Sequence, residues 1–145
     1  MAGFTLVELL VVIAILGLTL ALIGVAAKPV SPATHARGAA QEISGALRAA
    51  RSTALMSNRS VDFALNLALP GYRWGRQSSH SLPPDIKLAL MVGREQVVGE
   101  NKGRIRFNPD GSSSGGRVTI GGGNQFWTVG VDWLSGRVSV VHGAP

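Results

Sequence analysis

Leu9 to Ala27 reads LLVVIAILGLTLALIGVAA, nineteen residues without one charge. Phe4 to Ala27 is a run of twenty-four residues interrupted by a single ionisable group, Glu8. At about 1.5 Å per residue a helix of that length rises roughly 36 Å, enough to cross a hydrocarbon core of about 30 Å with some tilt. A cleavable secretory signal carries a shorter apolar region with a small-residue cleavage site behind it. Here the small residue at the polar boundary is Gly3, in front of the run. Cleavage after Gly3 would keep the apolar helix on the mature chain and place Phe4 at its new amino terminus.

Glu8 is the second constraint. A carboxylate at the centre of a bilayer costs about 2.5 to 3.5 kcal/mol on insertion scales, less near a helix end, and Gln, Ser or Leu would avoid the cost. An acid kept in such a helix asks for a partner. The positive α-amine of Phe4 would lie four residues, roughly 6 Å, along the same helix. Between staggered helices, the Glu8 of one could neutralise the amine of its neighbour. The plainer alternative is an interfacial acid favoured by the helix macrodipole.

The string Gly3-Phe4-Thr5-Leu6-Val7-Glu8-Leu9-Leu10-Val11-Val12-Ile13-Ala14-Ile15-Leu16-Gly17 resembles the class III signal of type IV pilins and type II secretion pseudopilins. The resemblance implies that a prepilin peptidase of the inner membrane cuts between Gly3 and Phe4 and that Phe4 is then N-methylated. It implies that Glu8 aligns each subunit against its neighbour in a filament. It also implies a single-pass protein of the bacterial inner membrane with its C-terminal domain in the periplasm. Met1-Ala2-Gly3 carries no cation where family leaders usually have Lys or Arg, so this orientation rests on the resemblance and not on flanking charge.

The expected divisions are a leader over residues 1–3, a transmembrane and assembly helix over 4–27, a periplasmic continuation of the helix over 28–58 and an antiparallel β domain over 59–145. The 118 residues from Lys28 onward are one domain's worth. They hold fourteen Lys and Arg against seven Asp and Glu, a balance that suits anionic surfaces without requiring one. The absence of cysteine rules out disulfides, thiolate metal sites and a cysteine nucleophile.

Pro29 and Pro32 disfavour an unbroken helix from the apolar run into the next segment. From Ala33 to Asn58 the helical period returns, with Ala36, Ala40, Ile43, Leu47, Ala50 and Ala54 on one stripe and Arg37, Gln41, Arg48, Arg51 and Ser52 opposite. Short alternating runs then predict strands: Val61 to Leu69 ending at Pro70-Gly71, a short partner Tyr72-Arg73-Trp74, and Ile86 to Leu90. Further runs are Arg104 to Phe107, Val118 to Ile120, and a face shared by Trp127, Val129, Val131 and Trp133. Leu134-Ser135-Gly136 returns the chain into Arg137–Val141 as a terminal hairpin. Strict alternation points to half-buried antiparallel sheet. The expected class is α+β, a long N-terminal helix, transmembrane and then amphipathic, packed on a small antiparallel β domain.

Ile105 to Gly116, Trp127-Thr128-Val129, Leu134 to Val138 and Leu47 to Ala54 resemble the H-type minor pseudopilins and the related minor type IV pilins. The resemblance implies a pilin-like structural subunit at the tip of the periplasmic pseudopilus of a type II secretion system. Its implied partners are other minor and major pseudopilins, the prepilin peptidase, the inner membrane and secreted substrate proteins.

Enzyme chemistry finds no support in the chain. His35, His80 and His142 have no Asp, Glu or His at ligand spacing, and Asp110-Gly111 offers one acid where calcium needs six to eight oxygens. Ser112 to Ser114 lack a nucleophile elbow, and Gly121-Gly122-Gly123 lacks the Lys and Ser/Thr of a phosphate loop. No catalytic residue, metal or cofactor is expected. A nucleic-acid patch is the rival reading, of a minor type IV pilin that binds DNA for uptake. Arg73, Trp74, Arg76 and Arg137 would form it, extended by Lys102, Arg104 and Arg106. Against it, Tyr72 and Trp74 on one strand face would fill the core and leave Arg73 and Arg76 solvated.

Overall fold

The computed structural model describes residues 5–24 and 30–143, in two compact units, Met1–Val30 and Ser31–Pro145. The first unit is helix α1 (Leu6–Gly24). Thr5 opens it, its carbonyl accepting from the N–H groups of Glu8 at 3.1 Å and Leu9 at 3.3 Å. Thr19 hides its hydroxyl by donating to the Ile15 and Leu16 carbonyls at 3.0 and 2.9 Å, so it adds no unpaired donor to the apolar surface. Among the described residues no helix is long and apolar enough to cross a membrane. The uncharged sequence runs on to Ala27, and Phe4 and residues 25–29 lie outside the described residues.

The second unit begins with α2 (Pro32–Ser57). Ser31 caps it, accepting from the Thr34 N–H at 3.3 Å. Pro32 takes the first helical position, where a missing N–H is harmless, so this proline starts the helix. Asn58 ends it in the left-handed conformation at φ 49°, its N–H bonded to the Ala54 carbonyl. The six residues of the expected stripe are all fully buried. Ala39 and Ser44 are buried beside them, because α2 packs against two sheets and needs a wider face than one sheet would cover. Full burial of Ile43 and Leu47 stabilises the unit by about 1.5–3 kcal/mol each.

The first sheet holds β1 (Val61–Asn66), β2 (Gly71–Trp74), β3 (His80–Ser81) and β5 (Lys102–Phe107), in the order β3-β2-β1-β5. The second holds β4 (Lys87–Met91), β6 (Gly116–Gly122), β7 (Gln125–Val131) and β8 (Val138–His142), in the order β4-β6-β7-β8. Every pairing between these strands is antiparallel. Phe63, Ile105 and Phe107 from the first sheet join Val118, Ile120 and Val129 from the second and the α2 stripe in one core.

Two expected strands end early. The run through Leu69 stops at Asn66, whose side-chain oxygen accepts from the N–H groups of Ala68 and Leu69 at 3.1 and 3.2 Å and turns the chain early. Leu69 is left 77% exposed. Trp133 does not share the β7 face, because Asp132 begins a turn by accepting from both the N–H and the hydroxyl of Ser135 at 2.7 Å. The turn leaves Trp133 67% exposed.

Candidate functional site

The N-terminal site begins with the Thr5-Leu6-Val7-Glu8 sequence. Thr5 Oγ1 accepts from the Glu8 N–H at 3.3 Å, and Glu8 lies in the first turn of α1, where a carboxylate meets the positive end of the helix macrodipole. Glu8 is thus more than an acid in an apolar run: its Thr-x-x-Glu spacing is a helix-start signal that the sequence carries openly and the hydropathy pattern masks. Along α1 the large apolar side chains are exposed, Leu6 at 79%, Ile13 at 62% and Leu20 at 68%. Such a surface is stable only in an apolar surrounding or against another helix. Gly3 and Phe4 lie outside the described residues.

A second constellation lies in the folded unit, where three segments far apart in sequence meet. Arg51 of α2 is half-buried, not solvated on the far side of the helix as its place opposite the stripe suggested. Its Nε donates to the Gly111 carbonyl at 3.3 Å. Gly111 and Gly136 both have positive φ, 86° and 62°. A Cβ on Gly136 would strike the Gly111 carbonyl oxygen and the Arg51 guanidinium, so the β7–β8 turn closes on this point only through a glycine. Asp110 accepts from the Ser112 N–H at 2.9 Å and its hydroxyl at 2.6 Å. These bonds hold the Asp110 carboxyl below its ordinary range. Asp132 is lowered in the same way, by its bonds from Ser135. Buried Ser113 ties the two turns together, its N–H donating to the Trp133 carbonyl at 2.8 Å and its hydroxyl to the Asp132 carbonyl at 3.0 Å. Ser112 to Ser114 thus act as turn-builders.

Of the residues of the nucleic-acid reading, Arg137 alone stands apart from the first sheet. Arg73 and Trp74 are on β2 and Arg76 just beyond it, whereas Arg137 belongs to the β7–β8 turn of the other sheet. Tyr72 is buried and stacked between Phe63 and His80, and Trp74 is partly buried against the core. Arg104 and Arg106 contact Asp62 at 3.5 and 2.7 Å. The hydrogen bond from Arg106 is the main cause that lowers the Asp62 carboxyl below its usual value.

The histidines are not isolated in space. His35 Nδ1 lies 2.8 Å from Asp85 Oδ2, a pair fifty residues apart that spacing along the chain hides. His142 packs on Trp127, the centroids 4.4 Å apart. Among the described residues no three His, Cys, Asp or Glu gather as metal ligands.

Residues 1–24 match the prokaryotic N-terminal methylation motif. Over 138 residues the chain is 28% identical to the type II secretion system protein H of Xanthomonas campestris pv. campestris, covering 94% of this chain and 80% of the relative. Its fold is similar to that of the minor pseudopilin EpsH from the type 2 secretion system of Vibrio cholerae. That match has a TM-score of 0.59 and 12% identity, over 74% of this chain and 97% of EpsH. The type IV minor pilin FimU of Pseudomonas aeruginosa matches with a TM-score of 0.55 and 14% identity, over 72% of this chain and 91% of FimU. Residues 39–136, which include α2 from Ala39 and the whole Arg51–Gly111–Gly136 closure, match the family model of the type II transport protein GspH, and the chain belongs to that family.

Proposed function

We propose that this chain is a minor pseudopilin, a structural subunit of the periplasmic pseudopilus of a type II secretion system, positioned at or near its tip. The observation that carries the reading is one chain with two matches, an N-terminal methylation motif over residues 1–24 and the GspH family over residues 39–136. DNA uptake is not favoured, since the family is one of type II transport and the β2 aromatics that reading needs for stacking are packed into the core. In this reading prepilin peptidase cuts between Gly3 and Phe4, and Phe4 carries the methylated amine. Glu8 neutralises the amine of a neighbouring subunit during assembly. The apolar helix holds the subunit in the inner membrane until then, with the C-terminal domain in the periplasm, where it meets other pseudopilins. The exposed apolar surface of α1 and the acid at its first turn support this division of labour.

Intact mass and amino-terminal sequencing of the protein from membranes, with and without prepilin peptidase, test the processing step. A mature chain starting at N-methylated Phe4, present only with the peptidase, is the expected result. An unprocessed terminus in both samples refutes it. Glu8→Ala is expected to abolish incorporation into pseudopili while leaving the chain in the membrane, and unchanged incorporation would remove Glu8 from the mechanism.

A further inference from the structure

We propose that the outer face of the first sheet is a docking groove for an extended acidic segment of a partner protein. The register builds it. Ala64 on β1 is paired with Arg73 of β2 on one side and Arg104 of β5 on the other. Directly paired residues project from the same face, and strands lie about 4.8 Å apart. The two arginines therefore rise from positions roughly 10 Å apart across a floor made of a single methyl group. Along β5 the same face carries Lys102, opposite Asn66, and Arg106, opposite Asp62. These seven strand positions hold four cations and one carboxylate. Asp62 is already taken, accepting from Arg106 at 2.7 and 3.1 Å and from Arg104 at 3.5 Å. Arg73 and Lys102 form no ion pair among the described residues.

The face is concave, a groove of about 770 Å³ lined by Asp62, Ala64, Asn66, Arg73, Lys102 and Arg104 among others. Glu95 and Glu100 belong to the segment beside β5, where Gln96 accepts from Arg104 Nε at 3.2 Å, and neither pairs with these cations. An extended chain fits such a groove. It presents alternate side chains on one side about 7 Å apart, the spacing of the alternate positions Lys102, Arg104 and Arg106 along β5, with Arg73 across the floor. Guanidinium forks accept carboxylates in a planar, two-point geometry. Nucleic acid is the poorer occupant, because the aromatic side chains of β2 lie on the opposite face: Tyr72 is buried, and Trp74 is paired with inward-pointing Phe63. A lipid headgroup surface is planar and does not follow the groove. The pseudopilin reading enters only in saying where the partner is met, among the other subunits of the secretion assembly.

The test uses the full chain in nonionic detergent micelles at ~50 mM salt, where surface charge is weakly screened. Fluorescence anisotropy follows a labelled, alternating Glu-Ser peptide of about ten residues, long enough to span the sheet. Saturable binding is expected, weakened about tenfold by the Arg73→Gln/Lys102→Gln double variant, as the loss of two exposed charge contacts implies. The double variant Arg117→Gln/Arg137→Gln, of equal charge change on the second sheet, is expected to bind as the parent does. Equal weakening by both double variants, or no saturable binding, overturns the proposal. So does a result in which oligothymidylate or phosphatidylglycerol vesicles, and not the peptide, respond to Arg73→Gln/Lys102→Gln. None of these outcomes bears on processing at Gly3 or on Glu8, so failure here leaves the pseudopilin reading standing on its own tests.

Discussion

Gly136→Ala should be among the most damaging single-methyl additions in the folded unit, and its cost can be built up from the structure. The residue has φ 62°, a left-handed conformation that costs an L residue about 1–2 kcal/mol. Its new Cβ would overlap the Gly111 carbonyl oxygen and the Arg51 guanidinium, neither of them the free end of a loose side chain. Forcing a methyl into such a site typically costs another 1–3 kcal/mol. Pushing Gly111 away also breaks the 3.3 Å bond from Arg51, worth about 1 kcal/mol. The total is roughly 3–6 kcal/mol, a large fraction of a single domain's stability. Gly123 supplies the control, with a similar φ of 58° and nothing within 4 Å of its Cβ position, so Gly123→Ala should lose only the ~1–2 kcal/mol of backbone strain. Urea unfolding of both variants, followed by the fluorescence of Trp74, Trp127 and Trp133, measures the difference. Equal destabilisation would show that the three-segment closure contributes nothing.

Asp62→Asn is expected to destabilise the unit by about 0.5–1 kcal/mol at pH 7, discounted for a partly exposed pair. The folded Asp62 carboxyl is depressed by Arg106, so its contribution is present above the unfolded value near 3.8 and fades as pH falls through the lower folded value. The parent and variant melting curves should therefore converge in acid, and a constant gap down to pH ~2 would refute the linkage. Residues 31–145 alone should fold and melt within a few degrees of the same unit in the full chain, because their core cluster is complete from Ala36 to Val140. Loss of cooperative melting in that fragment, followed by circular dichroism, would contradict this.

The sequence made α2 and the alternating strands readable because both signals are periodic and local. Ala36, Ala40, Ile43, Leu47, Ala50 and Ala54 could be placed on one face from spacing alone, and each is buried. What the spacing could not supply was set by side chains that bond to nearby backbone. Asn66 and Asp132 each capture N–H groups two or three residues on, which shortened one strand and turned Trp133 out of another. Division of the strands into two sheets was hidden for a different reason, since alternation reports which side is buried but not which strand is the neighbour. β5 pairs with β1 across thirty-five intervening residues, Asn66 to Lys102, and no local pattern encodes that choice. At the candidate sites, Glu8 was legible as an acid in an apolar run, whereas Arg51, His35 and Asp62 gained their roles from partners forty to sixty residues away.

The contrast between the two units says where this chain must look for its missing contacts. In the folded unit the polar groups around the Arg51–Gly111–Gly136 closure are bonded to one another: Asp110 by Ser112, Asp132 by Ser135, Ser113 by the Asp132 carbonyl, and Arg51 by the Gly111 carbonyl. A surface satisfied in this way has little to gain from solvent or from rearrangement. In α1 the polar groups are equally closed, Thr19 on the Ile15 and Leu16 carbonyls and the Glu8 N–H on Thr5, yet the large apolar side chains described there are exposed. Closing the polar groups while leaving the apolar ones open is the arrangement a bilayer or a bundle of like helices rewards and water penalises. The Glu8 carboxylate is the exception, an acid in the first turn of that apolar helix. In lipid alone it is a cost without return, and under the proposed function a neighbouring chain's positive charge would recover that cost.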